Sequence, residues 1–245
     1  MDDTNAVSTT ESARAAATTR ARIKDHLVEV TEVTDITPWY RRIEVAANGL
    51  LDHLDVAPGI HVLLSVPTLD GSATVQRSYT IHRADPARDR FCFDFILHEP
   101  AGPGCHWAAT ATPGVSVPVS EAPYHLVIPE VSQALLVADT TALPAIDALL
   151  ETLPDSVSTT VLIEDDHADH DLIPLPDRAA SVTWHPALSE EVLAATTGAL
   201  DPSDSFCWAG GERHLAKLVR DHVRSAWPVP RQQQHIQTYW IAGKG

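Results

Sequence analysis

Along the first half of the chain, apolar and polar positions alternate in twos, and the runs are short. Residues 26–48 (HLVEVTEVTDITPWYRRIEVAAN) alternate on either side of a Thr-Pro break and predict two antiparallel strands. VAPGIHVLLSVPT gives a strand after a Pro-Gly turn, VQRSYTIHR (75–83) and RFCFDFILHE two more, and ATPGVSVPVSEAP a turn and a short strand. Many short strands punctuated by Pro and Gly, with little helix between them, predict a small barrel or sandwich.

Near residue 130 the period changes. QALLVAD is an apolar run of strand length, and in the following TTALPAIDALLETLP, Leu143, Ile146, Leu149 and Leu150 recur at three and four, marking one apolar helical face. TTVLIE, SVTWHP, SFCWAG and HIQTYWI read as further strands, LSEEVLAATTGAL and GERHLAKLVRDHVRSAW as helices. Strand and helix in alternation predict a parallel α/β sheet covered on both faces. The expected division is a β domain over 21–128 and an α/β domain over 129–245. Residues 1–20 lack apolar periodicity and are expected to form a mobile tail.

Composition narrows the function. The 245 residues contain 44% hydrophobic residues, enough for a core, and suit one large domain or two small ones. Lys and Arg number 17 against 33 Asp and Glu, a formal charge of -16. That balance argues against nucleic acid or an anionic membrane as the main partner, while a locally basic pocket for an anionic ligand stays open. Cys92, Cys105 and Cys207 form no CxxC pair. No basic region followed by an apolar run opens the chain, and no span reaches transmembrane length, so a cytoplasmic protein is expected. The oligomeric state is left open.

Candidate chemistry lies first in VQRSYTIHR. On a strand Arg77, Tyr79, Ile81 and Arg83 share one face, and Ser78, Thr80 and His82 the other. A tyrosine ring suits a planar heterocycle, an arginine two positions away reaches a phosphate, and a threonine hydroxyl can donate to a ring atom. The plainer reading is a rim tyrosine between solvated arginines. In HEPAGPGCHWAATATPG (98–114), Gly102 and Gly104 free the backbone to turn just before a helix start, a place suited to a pyrophosphate. Cys105 stands where a capping hydroxyl would be ideal.

Two further loops, ADTTALP (138–144) and WAGGER (208–213), follow apolar strands and precede helices. Asp139, Thr140, Thr141, Gly210, Gly211 and Glu212 are therefore expected at one cleft, at the carboxyl ends of a parallel sheet. Neither is a GxGxxG fingerprint, so a nicotinamide nucleotide would be held differently from the usual dinucleotide fold. EDDHADHD (164–171) has metal-ligand types in Asp165, Asp166, His167, Asp169, His170 and Asp171, yet a solvated acidic loop explains it more cheaply, and no metal site is expected. Arg213, Lys217, Arg220 and Arg224 form a basic helical stripe, either solvated or steering an anionic ligand. GxSxG and HExxH are absent.

Taken in order, RSYTIHR, FDFILHEPAGPGCHWAATATPG, LLVADTTALPAIDALLETLP, WAGGE and TYW resemble the siderophore-interacting proteins, FAD-dependent ferric-siderophore reductases related to the ferredoxin-reductase-like flavoproteins. The resemblance spans about residues 25–245. It implies an antiparallel Greek-key β-barrel that binds FAD, followed by an NAD(P)H-binding-like α/β domain. Arg77, Ser78, Tyr79, Thr80 and Arg83 match the flavin segment, and His98, Gly102 and Trp107 the nucleotide loop, in which Gly104 and Cys105 stand where the family usually has Ala and Ser. Asp139, Thr141 and Glu212, with Ala142 in the same strand-end loop, border the electron-donor side; Tyr239 and Trp240 match the family's terminal Tyr-Trp near the flavin or substrate cleft, and Lys217 or Arg213 is placed to dock substrate. The chain departs from the family pattern at Cys105 (Ser), Thr140 (Glu) and Ile241 (Arg).

The function implied is transfer of electrons from NAD(P)H, or from a ferredoxin, through FAD to chelated iron(III), releasing iron(II). An acidic surface favours a neutral or cationic chelate such as a hydroxamate type. The alternatives are a flavin-dependent reductase of another small molecule or of free flavin, and a binding module without turnover.

Overall fold

In the computed structural model, residues 22–176 and 181–243 are described; the expected tail at 1–20 lies outside them. The first alternating stretch forms β1 (His26–Asp35) and β2 (Tyr40–Ala46), paired antiparallel. Thr37 makes the turn: its hydroxyl accepts from the amides of Trp39 and Tyr40. Five more strands follow: β3 (His61–Pro67), β4 (Thr74–Thr80), β5 (His82–Asp85), β6 (Arg90–Ile96) and β7 (Ser116–Glu121). They hydrogen-bond in the order β4-β3-β7-β1-β2-β6-β5, every neighbouring pair antiparallel. Alternate residues such as Val28, Ile43, Val62, Leu64, Phe93 and Val119 are fully buried on the inner face.

The expected β half is a curled antiparallel sheet whose hydrogen-bonded series runs from β4 at one end to β5 at the other. β4 and β5 stand at opposite edges, yet Ile81 alone separates them in sequence. One residue spans only about 3.5 Å of extended chain, so the sheet must curl until its edges lie side by side. The ladder does not close across Ile81, whose amide bonds instead to the Ile60 carbonyl (2.8 Å). This crossing also ends the alternation expected for VQRSYTIHR. Arg77 and Tyr79 are half-buried and Gln76 and Ser78 exposed, but Thr80, Ile81 and His82 are all buried. Arg83 then takes a left-handed conformation, φ 49°, and is exposed. Helix α1 (Pro103–Thr110) closes one end of the curl, contributing Trp107 and Ala108 to the same core.

The second half is a parallel sheet of β8 (Gln133–Asp139), β9 (Ser158–Glu164), β10 (Ser181–His185), β11 (Ser205–Glu212) and β12 (Gln234–Trp240), in the order β10-β9-β8-β11-β12. Its central strands β8 and β11 are buried almost end to end, as their unbroken apolar runs require. Helix α2 (Leu143–Thr152) packs on one face through Leu143, Ile146, Leu149 and Leu150. Helices α3 (Glu190–Thr197) and α4 (Arg213–Ser225) cover the other through Leu193, Leu215, Val219 and Val223. Strand order reverses between β8 and β11, opening a crevice at their carboxyl ends. Among the described residues, no helix is long and apolar enough to cross a membrane.

Candidate functional site

On the β4 edge, Tyr79 packs its ring on Phe95 (centroids 4.3 Å apart) and near Phe93 (6.2 Å), with Trp107 behind Phe95 (5.6 Å). Its hydroxyl reaches the first turn of α1, where a Cβ on Gly104 would overlap it. The glycine is needed for this close approach; the backbone turn itself does not demand it, because residue 104 has no left-handed φ. Gly102 is the N-cap residue at φ -81°, and a Cβ there would meet nothing within 4 Å. The helix has no side-chain cap and no acidic residue in its first turn, so no side chain of its own competes for an anion at its start.

Cys105, in the place of a capping hydroxyl, ties the loop instead: its sulfur accepts from the His98 amide (3.4 Å) and lies 3.6 Å from the His98 carbonyl. The His98 side chain is exposed beside it. Arg77 donates only to the neighbouring Gln76 carbonyl (3.0 Å) and pairs with no carboxylate among the described residues. Burial pushes the Tyr79 phenol well above its usual range; nearby Cys105 adds to this and Arg77 opposes it. A free guanidinium, a flat aromatic ring and an uncapped helix start thus meet at one edge, the donor set that a phosphorylated flavin requires. Ser78 points to the opposite, exposed face of β4, away from this group.

The crevice of the parallel sheet is laced by Asp139. One of its carboxylate oxygens accepts from the Thr141 amide (2.9 Å) and hydroxyl, the other from the Glu212 amide (2.7 Å) and the Trp240 indole (2.8 Å). Burial raises the Asp139 pKa, and these donors oppose the rise. Gly211, at φ 145°, is required here, because a Cβ would run into that carboxylate. The β11–β12 register shifts at the same point, so Glu212 faces Trp240. The Glu212 side chain caps α4 by accepting from the His214 amide, and it also accepts from the Ala242 amide (3.0 Å); these bonds lower its pKa.

Asp139, Thr141, Glu212 and Trp240 are therefore brought together as expected. Tyr239 lies edge-on to Trp208; burial pushes its phenol well above the usual range, and the neighbouring Thr80 side chain opposes the rise. Ala142 is buried under α2, while Thr140 is buried at the crevice wall. Arg213 is exposed at the start of α4. Lys217 and Arg224 both pair with Asp221, and Arg220 donates to the Ile236 carbonyl, so most of the basic stripe is engaged. Cys92 and Cys207 are buried thiols whose pKa values burial pushes up to about 12.

One cluster escaped the sequence reading. His82, 3% exposed, bridges Asp94 of β6 (Nδ1–Oδ2 2.9 Å) and, through Nε2, Asp147 of α2. Arg42 holds Asp94 with two bonds of 2.8 Å, the Tyr40 hydroxyl donates to it, and the Arg83 guanidinium lies 3.8 Å from Asp147. Burial pushes the His82 imidazole down, but the bonds to Asp147 and Asp94 outweigh it and raise the pKa. Burial likewise pushes Asp94 up, and Arg42 and His82 drive it far below the carboxylate range. Two carboxylates are thus surrounded by the His82 imidazole and the Arg42 and Arg83 guanidiniums at the domain seam. Arg83 consequently lines a groove with Arg42, Asp85 and Arg88, away from Arg77 and Tyr79.

A signal for this cluster was present. Asp94 interrupts the apolar strand RFCFDFI, and Asp147 falls on the apolar stripe of its helix, four residues after Leu143.

Comparison with known proteins fits this geometry. Residues 67–123 match the siderophore-interacting FAD-binding domain, and residues 131–243 the siderophore-interacting protein family. The mycobactin import ATP-binding/permease protein IrtA of Mycobacterium tuberculosis is 34% identical over 90% of this chain, which spans about a quarter (26%) of that relative. The ferric vibriobactin reductase ViuB of Vibrio cholerae is 27% identical, covering 91% of this chain and 92% of its own. The crystal structure of the siderophore-interacting protein SipS from Aeromonas hydrophila superposes with a TM-score of 0.75 at 26% identity, over 91% of this chain and 94% of that one. The chain belongs to the siderophore-interacting protein family, with an FAD-binding domain and a ferredoxin-reductase-like fold.

Proposed function

We propose that the protein is an FAD-dependent reductase of ferric siderophores, taking electrons from NAD(P)H and releasing iron(II) from the chelate. The observation that carries this is the meeting of Arg77, Tyr79 and Gly104 at the uncapped start of α1. Bound FAD supplies the exchange between a two-electron donor and a one-electron acceptor. The protein's part is to hold and orient it. Arg77 and the leading amides of α1 take the phosphates, Tyr79 offers its ring as a platform, and Thr80 borders the ring edge beside Tyr239.

Asp139, Thr141, Glu212 and Trp240 form the wall against which the nicotinamide nucleotide rests. In this reading residues 21–128 serve the flavin and 129–245 the donor, and the use of a reduced nicotinamide sets the reaction in the cytoplasm. A ferredoxin is the other donor compatible with an exposed flavin edge. Iron(III) enters as substrate inside its chelate, and the weaker ferrous complex then lets the metal go. The name of the Vibrio cholerae relative, a ferric vibriobactin reductase, supports iron chelates as the substrate class. The net charge of -16 disfavours highly anionic chelates, and exposed Arg213 is the cation available at the crevice rim.

The test is a steady-state assay of the FAD-loaded protein with NADH and with NADPH. Ferric chelates of neutral, cationic and strongly anionic charge are offered, with iron(II) trapped as it forms. Turnover fastest on the neutral or cationic chelate supports the reading. Turnover on free flavin but on no chelate overturns it in favour of a flavin reductase, and failure to take up FAD overturns both.

A further inference from the structure

The loop after β9 carries chemistry that the flavin reading leaves unused. Residues 164–171, EDDHADHD, contain acids and two histidines and no Lys or Arg. Asp165 is turned inward, its side chain 4% exposed. Two imidazoles address the same carboxylate from opposite sides: His167 Nδ1 lies 2.7 Å from one oxygen, and His170 Nδ1 lies 3.5 Å from the other. Each ring is fixed in plane by a tryptophan. His167 stacks on Trp39 of the β1–β2 turn (3.8 Å, 19°), and His170 on Trp184 of β10 (4.4 Å, 10°). The Trp39 indole donates to Asp169 (2.6 Å), pinning the loop.

Two observations separate this arrangement from a solvated acidic loop. Ligand atoms of Asp165, Asp166 and His167 all lie within 4.8 Å of one another, with Asp165 buried. Independently, His170 Nδ1 is buried and has no hydrogen-bond partner, although it faces the carboxylate. A buried ring nitrogen left unsatisfied costs free energy unless something occupies it.

We propose that Asp165, Asp166 and His167 bind a divalent first-row transition metal, with His170, whose unpartnered Nδ1 lies 3.5 Å from the other Asp165 oxygen, turning in as a further ligand. Two ligands about 2.0–2.2 Å from a tetrahedral ion stand roughly 3.3–3.5 Å apart, the spacing already found between His170 and Asp165. The His167 side, now 2.7 Å from its oxygen, opens by roughly 0.6–0.8 Å to admit the ion. Imidazole nitrogens select zinc- or iron(II)-type ions over magnesium or calcium, which prefer oxygen donors alone. The ion would also offset the repulsion among Asp165, Asp166 and Asp169. Because Trp39 lies in the turn joining β1 and β2 and Trp184 in β10 of the second sheet, the ion would brace the seam between the two halves. The two sources of such an ion are zinc acquired as a structural metal and iron(II) released by turnover.

The full chain, free of any affinity tag and stripped with a chelator, is titrated with cobalt(II) while visible d–d bands and melting temperature are recorded. One tight equivalent and a higher melting temperature are expected. The test variant is His167→Phe with His170→Phe, which keeps both stacked rings and removes the nitrogens; it should abolish the tight equivalent and the thermal shift together. His53→Ala, at an exposed histidine elsewhere, should change neither. Equal cobalt uptake by the double variant, or none by the parent protein, overturns the proposal. Displacement of cobalt by zinc and by anaerobic iron(II), together with the metal content after turnover, distinguishes the two sources. The titration needs no bound flavin, so its failure leaves the reductase reading untouched.

Discussion

The Tyr79 hydroxyl stands so near Gly104 that a single added methyl group on residue 104 would collide with it. The strand that offers the flat ring and the helix start that offers amides to an anion are thus fitted to each other before any ligand arrives. Gly104→Ala should push the ring off its Phe95 shelf and cost about 1–3 kcal/mol of strain. FAD affinity is then expected to fall roughly tenfold to a hundredfold in a fluorescence titration. An unchanged dissociation constant would show that Tyr79 does not shape the cofactor site.

Arg77 has no carboxylate to neutralise it among the described residues, so its removal should leave the apo-protein's stability within about 0.5 kcal/mol. Arg77→Ala is nevertheless expected to weaken FAD binding by about 1.5–3 kcal/mol, the range for a charge-assisted hydrogen bond. Arg77→Lys should recover part of it, because an ammonium keeps the charge but loses the fork. Equilibrium dialysis of the three proteins decides the matter.

The His82 seam predicts a pH dependence with two limbs. The pKa of His82 is raised in the fold, so its stabilisation is complete below the ordinary imidazole value and fades as pH climbs through the raised one. Asp94 is lowered, so its share is present above the ordinary carboxylate value and is lost in strong acid. Asp147→Asn removes one partner of a buried charge and should cost about 3–5 kcal/mol. It should also flatten the alkaline limb, as read by urea unfolding at about pH 6 and about pH 9. Parallel losses at both values would mean that the pair does not titrate as described.

Trp240→Phe deletes one of the donors to the buried Asp139 carboxylate while keeping an aromatic ring. A cost of about 1–3 kcal/mol in stability is expected. The KM for the nicotinamide nucleotide should rise and the FAD dissociation constant should hold, since the Trp240 indole donates to Asp139 and touches neither Arg77 nor Tyr79. A change confined to FAD affinity would place Trp240 on the flavin side instead.

Much of this architecture was readable from residue pattern alone. QALLVAD, TTVLIE and SFCWAG became buried parallel strands because an unbroken apolar run suits a sheet covered on both faces. The pairing of Asp139 with Glu212 was legible because both end such strands on either side of the reversal in strand order. Alternation misled at Ile81, where a chain crossing from one sheet edge to the other buries Thr80, Ile81 and His82 in succession and turns Arg83 away. No local period reports such a crossing, since it follows from closure of the curl. His82 was hidden for a related reason: its partners lie 12 and 65 residues further along the chain. The role of Gly104 was read as turning freedom, whereas the contact that fixes it comes from Tyr79 on another element.

The most direct test of the reductase account is a single turnover without oxygen. FAD-loaded protein is reduced, freed of reductant and mixed with a neutral ferric hydroxamate while the flavin absorbance is followed. The account predicts that the oxidised flavin band returns, with about two iron(II) trapped for each flavin, as one-electron reduction by a two-electron cofactor requires. A flavin that stays reduced in the presence of the chelate, with no iron(II) formed, would contradict it.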